Sequence, residues 1–437
     1  MKLSFNTTGN NQTNGRTTRS ILLGKLRNTL ASTSRKFKFC NTNSPDLNVT
    51  FNCVFNGLYN PSNIDNFVNY HILNDNEISI DSLIEDNLEE DSTGIIPLNK
   101  AILFGPFTPS QIKKAYSINT IIPMNNIRRP IVTIISAYNN PYLVRDVTRF
   151  GEVFGLPKCN LKIWNFSRYF STGWAVETTL DVQWVYAINP YAEIRVILAA
   201  YSSWNDMFNA VNFANNKKNF SPAIDTDIIS MSWGTTDNGG LTGYNSYFSN
   251  PNTIYLASSG DSSRVSFPSS CTNVVSIGGT SLNLNSNLTR ASEKVWGSAG
   301  CGLSKSFTKP SYQPIINNNT SLRITPDISC VADPNTACFI VINNRLYSVG
   351  GTSLSSPIYA GMLSLITQNR LNNKKTTYTS VTNKANSIQP LLYNSNNFDC
   401  FFDITQGSSG SNQARVGFDS ASGLGVMNEI ISVGKLG

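Results

Sequence analysis

The strongest constraint on the fold of this chain is a series of short apolar segments alternating with helical patterns. Ile131-Val132-Thr133-Ile134-Ile135 is a nearly continuous β-branched run, the pattern of a strand buried on both faces. Tyr142 to Phe154 reads as a helix, Leu161 to Trp164 as a strand and Trp174 to Ile188 as a helix. Ile194 to Leu198 is a strand and Asn205 to Ala214 a helix. Ile228 to Trp233, Thr253 to Ala257 and Val274 to Ile277 follow as strands. Strands alternating with helices predict an α/β fold: a parallel sheet with helices on both faces and the functional site at the C-terminal ends of its strands. No internal repeat is visible.

The alternation occupies only part of the chain. Residues 1–33 are rich in Asn, Thr, Ser and Arg without periodicity and read as a flexible basic tail. Residues 34–104 carry short apolar pieces, Leu47 to Phe55 and Phe67 to Leu73, and an acidic run from Glu85 to Asp91. They form a short N-terminal segment, either a small domain or a reduced pro-region. Residues 105–437 form the main domain.

Charge and cysteine usage narrow the function classes. The net charge of +7 comes largely from the first forty residues, where no acid precedes Asp46. No basic stripe interleaved with aromatic residues follows, so nucleic acid is not an expected partner. No run approaches the roughly 18 apolar residues of a membrane span, and the opening residues lack the apolar core of a secretory signal. The compartment stays open between acidic, extracellular and virion settings. The eight cysteines show no paired C-x-x-C spacing, which argues against zinc. A monomer is expected.

Chemistry is concentrated in three places. In Gly350-Gly351-Thr352-Ser353-Leu354-Ser355-Ser356-Pro357 two glycines permit a sharp turn, and helical spacing follows at Ile358, Met362, Leu365 and Ile366. A serine there sits near a helix N-terminus, which favours developing negative charge and suits an acyl-transfer nucleophile. Pro357 is expected in the first helical turn. The plain alternative is an ordinary N-cap formed by Thr352 or Ser353.

The second place is the helix Trp174 to Val185, where Glu177 and Asp181 stand four apart on one face. No Lys or Arg relieves this like-charged pair, and apolar residues flank it. Two sheltered carboxyl groups share a proton, so one can act as a general base with the other orienting it. The plain alternative is a solvated helix face. The third place is Ser258-Ser259-Gly260-Asp261-Ser262-Ser263, directly after an apolar strand. Asp261 either makes a turn or, when protonated, donates to an oxyanion. The chain has a single histidine, His71, which lies before the alternating region, so a Ser-His-Asp triad is not expected.

These residues resemble the sedolisin (serine-carboxyl peptidase) family. Phe107 to Tyr116 is similar to the start of that family's catalytic domain, and Arg323 to Asp327 to a segment upstream of its nucleophile. The resemblance implies a subtilisin-like fold, with Ser353 as nucleophile, Glu177 as base, Asp181 as its partner and Asp261 in the oxyanion hole. It implies that Ser232, Trp233 and Gly234 form the substrate-binding edge. It also implies one structural Ca²⁺, held by the carboxylates of Asp403 and Asp419 with the carbonyls of Ile404, Arg415 and Gly417. Arg415 stands where glycine is usual, a change a backbone ligand tolerates. The implied activity is hydrolysis of peptide bonds at acidic pH in peptides or proteins. The coupled carboxyl groups would work between about pH 3 and 6. The competing class is a catalytically silent structural or peptide-binding protein with a peptidase fold.

Overall fold

The computed structural model describes residues 50–51, 54–58, 105–314 and 321–437. The tail 1–33, His71 and most of the 34–104 segment lie outside the described residues. The main domain opens on α1 (Pro109–Ala115), capped by Thr108. Its hydroxyl accepts from the Gln111 amide while the Gln111 side chain accepts from Thr108 N–H at 2.8 Å.

Eight strands form the central sheet: β1 (Ile131–Ala137), β2 (Asn160–Asn165), β3 (Glu193–Ala199), β4 (Ile228–Met231), β5 (Ile254–Ser258), β6 (Val274–Leu284), β7 (Arg290–Val295) and β8 (Ile328–Val331). The spatial order is β7-β6-β5-β4-β1-β3-β2, with β8 also paired to β6. Every pairing is parallel except β6 with β7. All residues of β1, β4 and β5 are buried, as strands covered on both faces must be. Strand β6 runs well past Ile277, where the apolar pattern suggested an end, because its second half is paired to β7 and β8.

The intervening helices are α2 (Leu143–Val153), α3 (Thr172–Ile188) and α4 (Trp204–Asn215). The long α5 (Thr352–Asn372) packs along α3, and the C-terminal α6 (Glu429–Leu436) closes the chain. α3 is apolar nearly all round and buried, so it is fixed by polar anchors as well as packing. Gln183 Nε2 donates to the Val341 carbonyl at 2.7 Å and its Oε1 accepts from Val341 N–H at 2.8 Å. Trp184 Nε1 donates to the Phe339 carbonyl at 3.0 Å. Asn189 Nδ2 donates to Ser364 Oγ of α5 at 2.8 Å. Gly361 lets α5 come close: a Cβ there would lie 2.5 Å from Ile188 Cβ.

Two expectations need correction. Ile228 to Trp233 is not one strand. β4 ends at Met231, and the chain turns at Ser232 into a separate strand, Trp233–Thr236, paired with Ser266–Phe267. The buried Trp233 indole draws it aside, donating to the Ile135 carbonyl at 3.0 Å and packing edge-on against Phe208. Gly234 permits the new pairing, since a Cβ there would lie 2.5 Å from the Phe267 carbonyl oxygen. Pro357 is also not in the first helical turn. α5 begins at Thr352, which places Pro357 inside the helix. Lacking an N–H, it leaves the carbonyl of Ser353, four residues back, without its helical donor.

Candidate active site

The strand ends build the site. β4 and β5 are parallel neighbours. Ser232 directly follows β4, and Ser259-Gly260-Asp261 directly follows β5. α5 starts beside them, at the end of β10 (Arg345–Gly350), which pairs with β9 (Cys338–Ile342). The two glycines of the turn have separate reasons. Gly351 has φ +107°, a conformation closed to other L-residues at low cost. Gly350 lies so close to the preceding loop that a Cβ would sit 2.6 Å from the Ala332 carbonyl oxygen.

Ser353 therefore occupies the first turn of α5, fully buried, and donates from Oγ to the Ser232 carbonyl at 3.2 Å. Ser232 Oγ donates to Asp181 Oδ1 at 2.6 Å. Ser232 thus bridges the nucleophile candidate and the acidic helix. Glu177 and Asp181 are both buried, at 1% and 0% exposure, so the solvated-face alternative fails. Burial pushes the Asp181 carboxyl well above the usual carboxylate range, against the opposing pull of the Ser232 hydrogen bond. Asp181 Oδ2 is buried with no hydrogen-bond partner among the described residues.

Asp261 meets the same helix start from the other side. Its Oδ1 accepts from Thr352 N–H at 2.9 Å and from Thr352 Oγ1 at 2.8 Å. Thr352 Oγ1 in turn accepts from Gly260 N–H at 3.1 Å, and Gly260 adopts φ +102°. Thr352 was legible only as a possible N-cap. Its actual work is to orient Asp261, from 91 residues away in the chain. Trp233 and Gly234, expected at a substrate-binding edge, are buried and open the strand Trp233–Thr236. The short strand Thr50–Phe51 pairs antiparallel to it, with Thr50 opposite Gly234 and Phe51 opposite Trp233. Val54–Leu58 pairs antiparallel to β10, with Val54 opposite Gly350.

In the C-terminal loop both expected calcium carboxylates accept from backbone amides. Asp403 Oδ2 accepts from Gly417 N–H at 2.8 Å, and Asp419 Oδ2 accepts from Arg415 N–H at 2.8 Å. Asp419 Oδ1 accepts from the amides of Ala421 and Ser422. Ser422 Oγ lies 3.4 Å from the Ile404 carbonyl. The two carboxylates and the carbonyls of Ile404, Arg415 and Gly417 are hard oxygen donors, the chemistry that Ca²⁺ takes. Among the described residues no group of three or more His, Cys, Asp or Glu side chains gathers. The six described cysteines are free. Among the described residues no helix is long and apolar enough to cross a membrane.

A mostly parallel sheet whose adjacent strand ends deliver acids and a serine to a glycine-turned helix start is the architecture of the subtilisin-like α/β fold. The subtilase family model matches residues 197–425, and the chain belongs to that family, in its sedolisin branch. Kumamolisin from Bacillus sp. (strain MN-32) is 29% identical over 285 residues, covering 57% of this chain and 48% of that protein. Sedolisin from Pseudomonas sp. (strain 101) is 35% identical over 113 residues, covering 24% of this chain and 19% of that one. Human tripeptidyl-peptidase 1 is 30% identical over 161 residues, covering 33% and 26%. The chain spans about half the length of kumamolisin and less of the others. The solved structure of Pseudomonas sedolisin, a serine-carboxyl proteinase, complexed with two molecules of pseudo-iodotyrostatin superposes with a TM-score of 0.63 at 21% identity. It covers 75% of this chain and 96% of that one, and the likeness shows the shared fold.

Proposed function

We propose that the chain is a serine-carboxyl peptidase that hydrolyses peptide bonds under acidic conditions. The observation that carries this reading is the bridge from Ser353 through Ser232 to the buried acid Asp181, one helical turn from Glu177. Glu177 takes the proton from Ser353 Oγ as that oxygen attacks the substrate carbonyl carbon. Asp181 orients Glu177 and shares its proton. Asp261, in its acid form, donates to the oxyanion. When the C–N bond breaks, the leaving amine takes its proton from Glu177. Water then attacks the acyl-enzyme with Glu177 as base. The mechanism is acidic because Asp261 has a proton to give only when un-ionised, and because burial holds Asp181 in its acid form. The Asp403 and Asp419 carboxylates, with the carbonyls of Ile404, Arg415 and Gly417, would hold one Ca²⁺, which supplies charge neutralisation and loop rigidity when bound.

Residues 34–104 act in this reading as a reduced pro-region. The pairing of Thr50–Phe51 with the Trp233–Gly234 edge and of Val54–Leu58 with β10 supports it, since both lie along the backbone a substrate strand would use. A Leu58→Cys/Tyr347→Cys variant tests it, the two positions being opposed across the pair. Oxidation is expected to suppress cleavage and reduction to restore it. Full activity of the oxidised form would remove the pro-region role.

The test of the catalytic reading is cleavage of a peptide library by the full chain from about pH 2.5 to 8, beside Ser353→Ala. Cleavage confined to acid and lost in the variant is the expected result. Silence at every pH, with calcium and after acid treatment, would make the chain a non-catalytic scaffold.

A further inference from the structure

We infer that Ser232 is a positioning residue that sets the acid pair and the nucleophile in register through the two ends of one residue, its hydroxyl and its carbonyl. The inference rests on the peptidase reading above. Strand β4 stops at Met231 and the chain swings away at Ser232, so this residue projects into the site from the point where the strand leaves the sheet. Its carbonyl accepts from Ser353 Oγ at 3.2 Å, and its hydroxyl donates to Asp181 Oδ1 at 2.6 Å. The Ser353 carbonyl, left without a helical donor by Pro357, lies 3.5 Å from the same hydroxyl as its alternative acceptor. Backbone and side chain of one buried serine therefore touch the nucleophile and the acid that orients its base.

The consequence is an assignment of atoms. A hydroxyl proton directed at Asp181 Oδ1 makes that oxygen an acceptor, so the proton of the un-ionised acid resides on Oδ2. Oδ2 has no hydrogen-bond partner among the described residues. Glu177 is the titratable neighbour on the same helix, one turn back. Among the titratable groups of the adjoining elements, Asp146 of α2 is turned to Arg145 and the Asn343 amide, Glu193 and Arg195 of β3 pair with each other, and Tyr359 of α5 lies towards Glu429, Cys400 and Cys330. Burial and the Ser232 hydroxyl are what govern Asp181. Without the hydroxyl, the carboxyl is free to turn either oxygen towards Glu177, and its ionised form loses its one donor.

The experiment uses the full chain as wild type, Ser232→Ala and Ser232→Thr, with kcat and KM for one peptide substrate measured across pH 2.5–8. Ala is expected to lower kcat about 3- to 10-fold, as loss of a hydrogen bond to a neutral group would, with KM changed less than about twofold. Loss of a donor favours the protonated acid, so the high-pH limb of kcat should move upward by up to about one unit. Thr retains the hydroxyl and should recover most of kcat and the wild-type limb. An Ala variant with unchanged kcat and pH limbs, or a Thr variant as impaired as Ala, overturns the inference. A parallel NMR titration of carboxyl-labelled Asp in the Ser353→Ala background reads Asp181 directly. An upward shift on adding Ser232→Ala supports the inference even if no substrate is cleaved, and an unmoved resonance rejects it.

Discussion

Arg323→Met should destabilise the domain far more than an average substitution. Arg323 and Asp327 are both fully buried, with guanidinium nitrogens 2.7 and 3.0 Å from the two carboxylate oxygens. Asp327 also accepts from Tyr393 Oη at 2.6 Å and from Ser276 N–H at 2.8 Å, and its carbonyl accepts from Leu424 N–H at 2.8 Å. The pair thus ties β6, β8 and the C-terminal loop together. Ser355 of α5 donates to the carbonyls of Cys330 and Val331 in that same β8. Removing one partner of a buried ion pair costs about 3–5 kcal/mol. An unfolding entropy of ~2.1 cal/mol/K per residue over about 330 residues is about 0.7 kcal/mol/K, so Tm should fall by about 4–7 °C. The orphaned Asp327 carboxylate would stay buried without its cation. Adding Asp327→Asn, which removes the uncompensated charge, should recover at least half of the loss at neutral pH. Calorimetry of wild type and the two variants at neutral pH reads both effects. A single variant within about 1 °C of wild type, or a double variant no more stable than the single one, would refute the reasoning.

Glu429 offers a pH readout. Its two carboxylate oxygens are buried without a hydrogen-bond partner among the described residues, and desolvation pushes its carboxyl well above the usual range. It contributes stability that is complete below an unfolded pKa of about 4.3 and is lost as pH rises towards the folded value, at up to about 1.4 kcal/mol per unit. Glu429→Gln should therefore flatten the Tm-versus-pH curve above pH 4.3 and be the more stable form at neutral pH; parallel curves would sink this account. For the C-terminal loop, chelation should lower Tm by about 4 °C if calcium is otherwise present at a hundred times its Kd. Asp403→Asn should abolish that calcium dependence, and a Tm indifferent to chelator would remove the ion from the loop.

The parts of the fold that sequence made legible are those written in local pattern. The β-branched runs around Ile134 and Val196 and the apolar helix containing Glu177 sit where periodicity placed them, within one or two residues. The glycine turn before Ser353 was legible because two glycines beside an apolar helix have few other uses. The acidic pair was legible because its flanks are apolar and no cation relieves it. What escaped was everything settled by tertiary contact. Ile228 to Trp233 reads as one strand, and nothing local shows that the Trp233 indole will be claimed by the Ile135 carbonyl. Thr352 looked like a cap, because its partner Asp261 is on another strand end. The pairing of Val54–Leu58 with β10 joins segments nearly three hundred residues apart, where no periodicity reaches.

The same contrast explains why the chemistry lies where it does. Within strands and helices, backbone donors and acceptors satisfy one another and are unavailable for reaction. They are released where elements end. Ser232 is the first residue beyond β4, Asp261 lies just beyond β5, and Ser353 stands in the opening turn of α5. Pro357 extends that release one turn further, since an ordinary residue there would donate to the Ser353 carbonyl. Ser232 can then hold Ser353 through its carbonyl and Asp181 through its hydroxyl, because neither group is committed to a ladder. A substrate strand that pairs with the Trp233–Gly234 edge would pull on the residue adjoining Ser232. Substrate binding and alignment of the proton-transfer groups would then be mechanically one event.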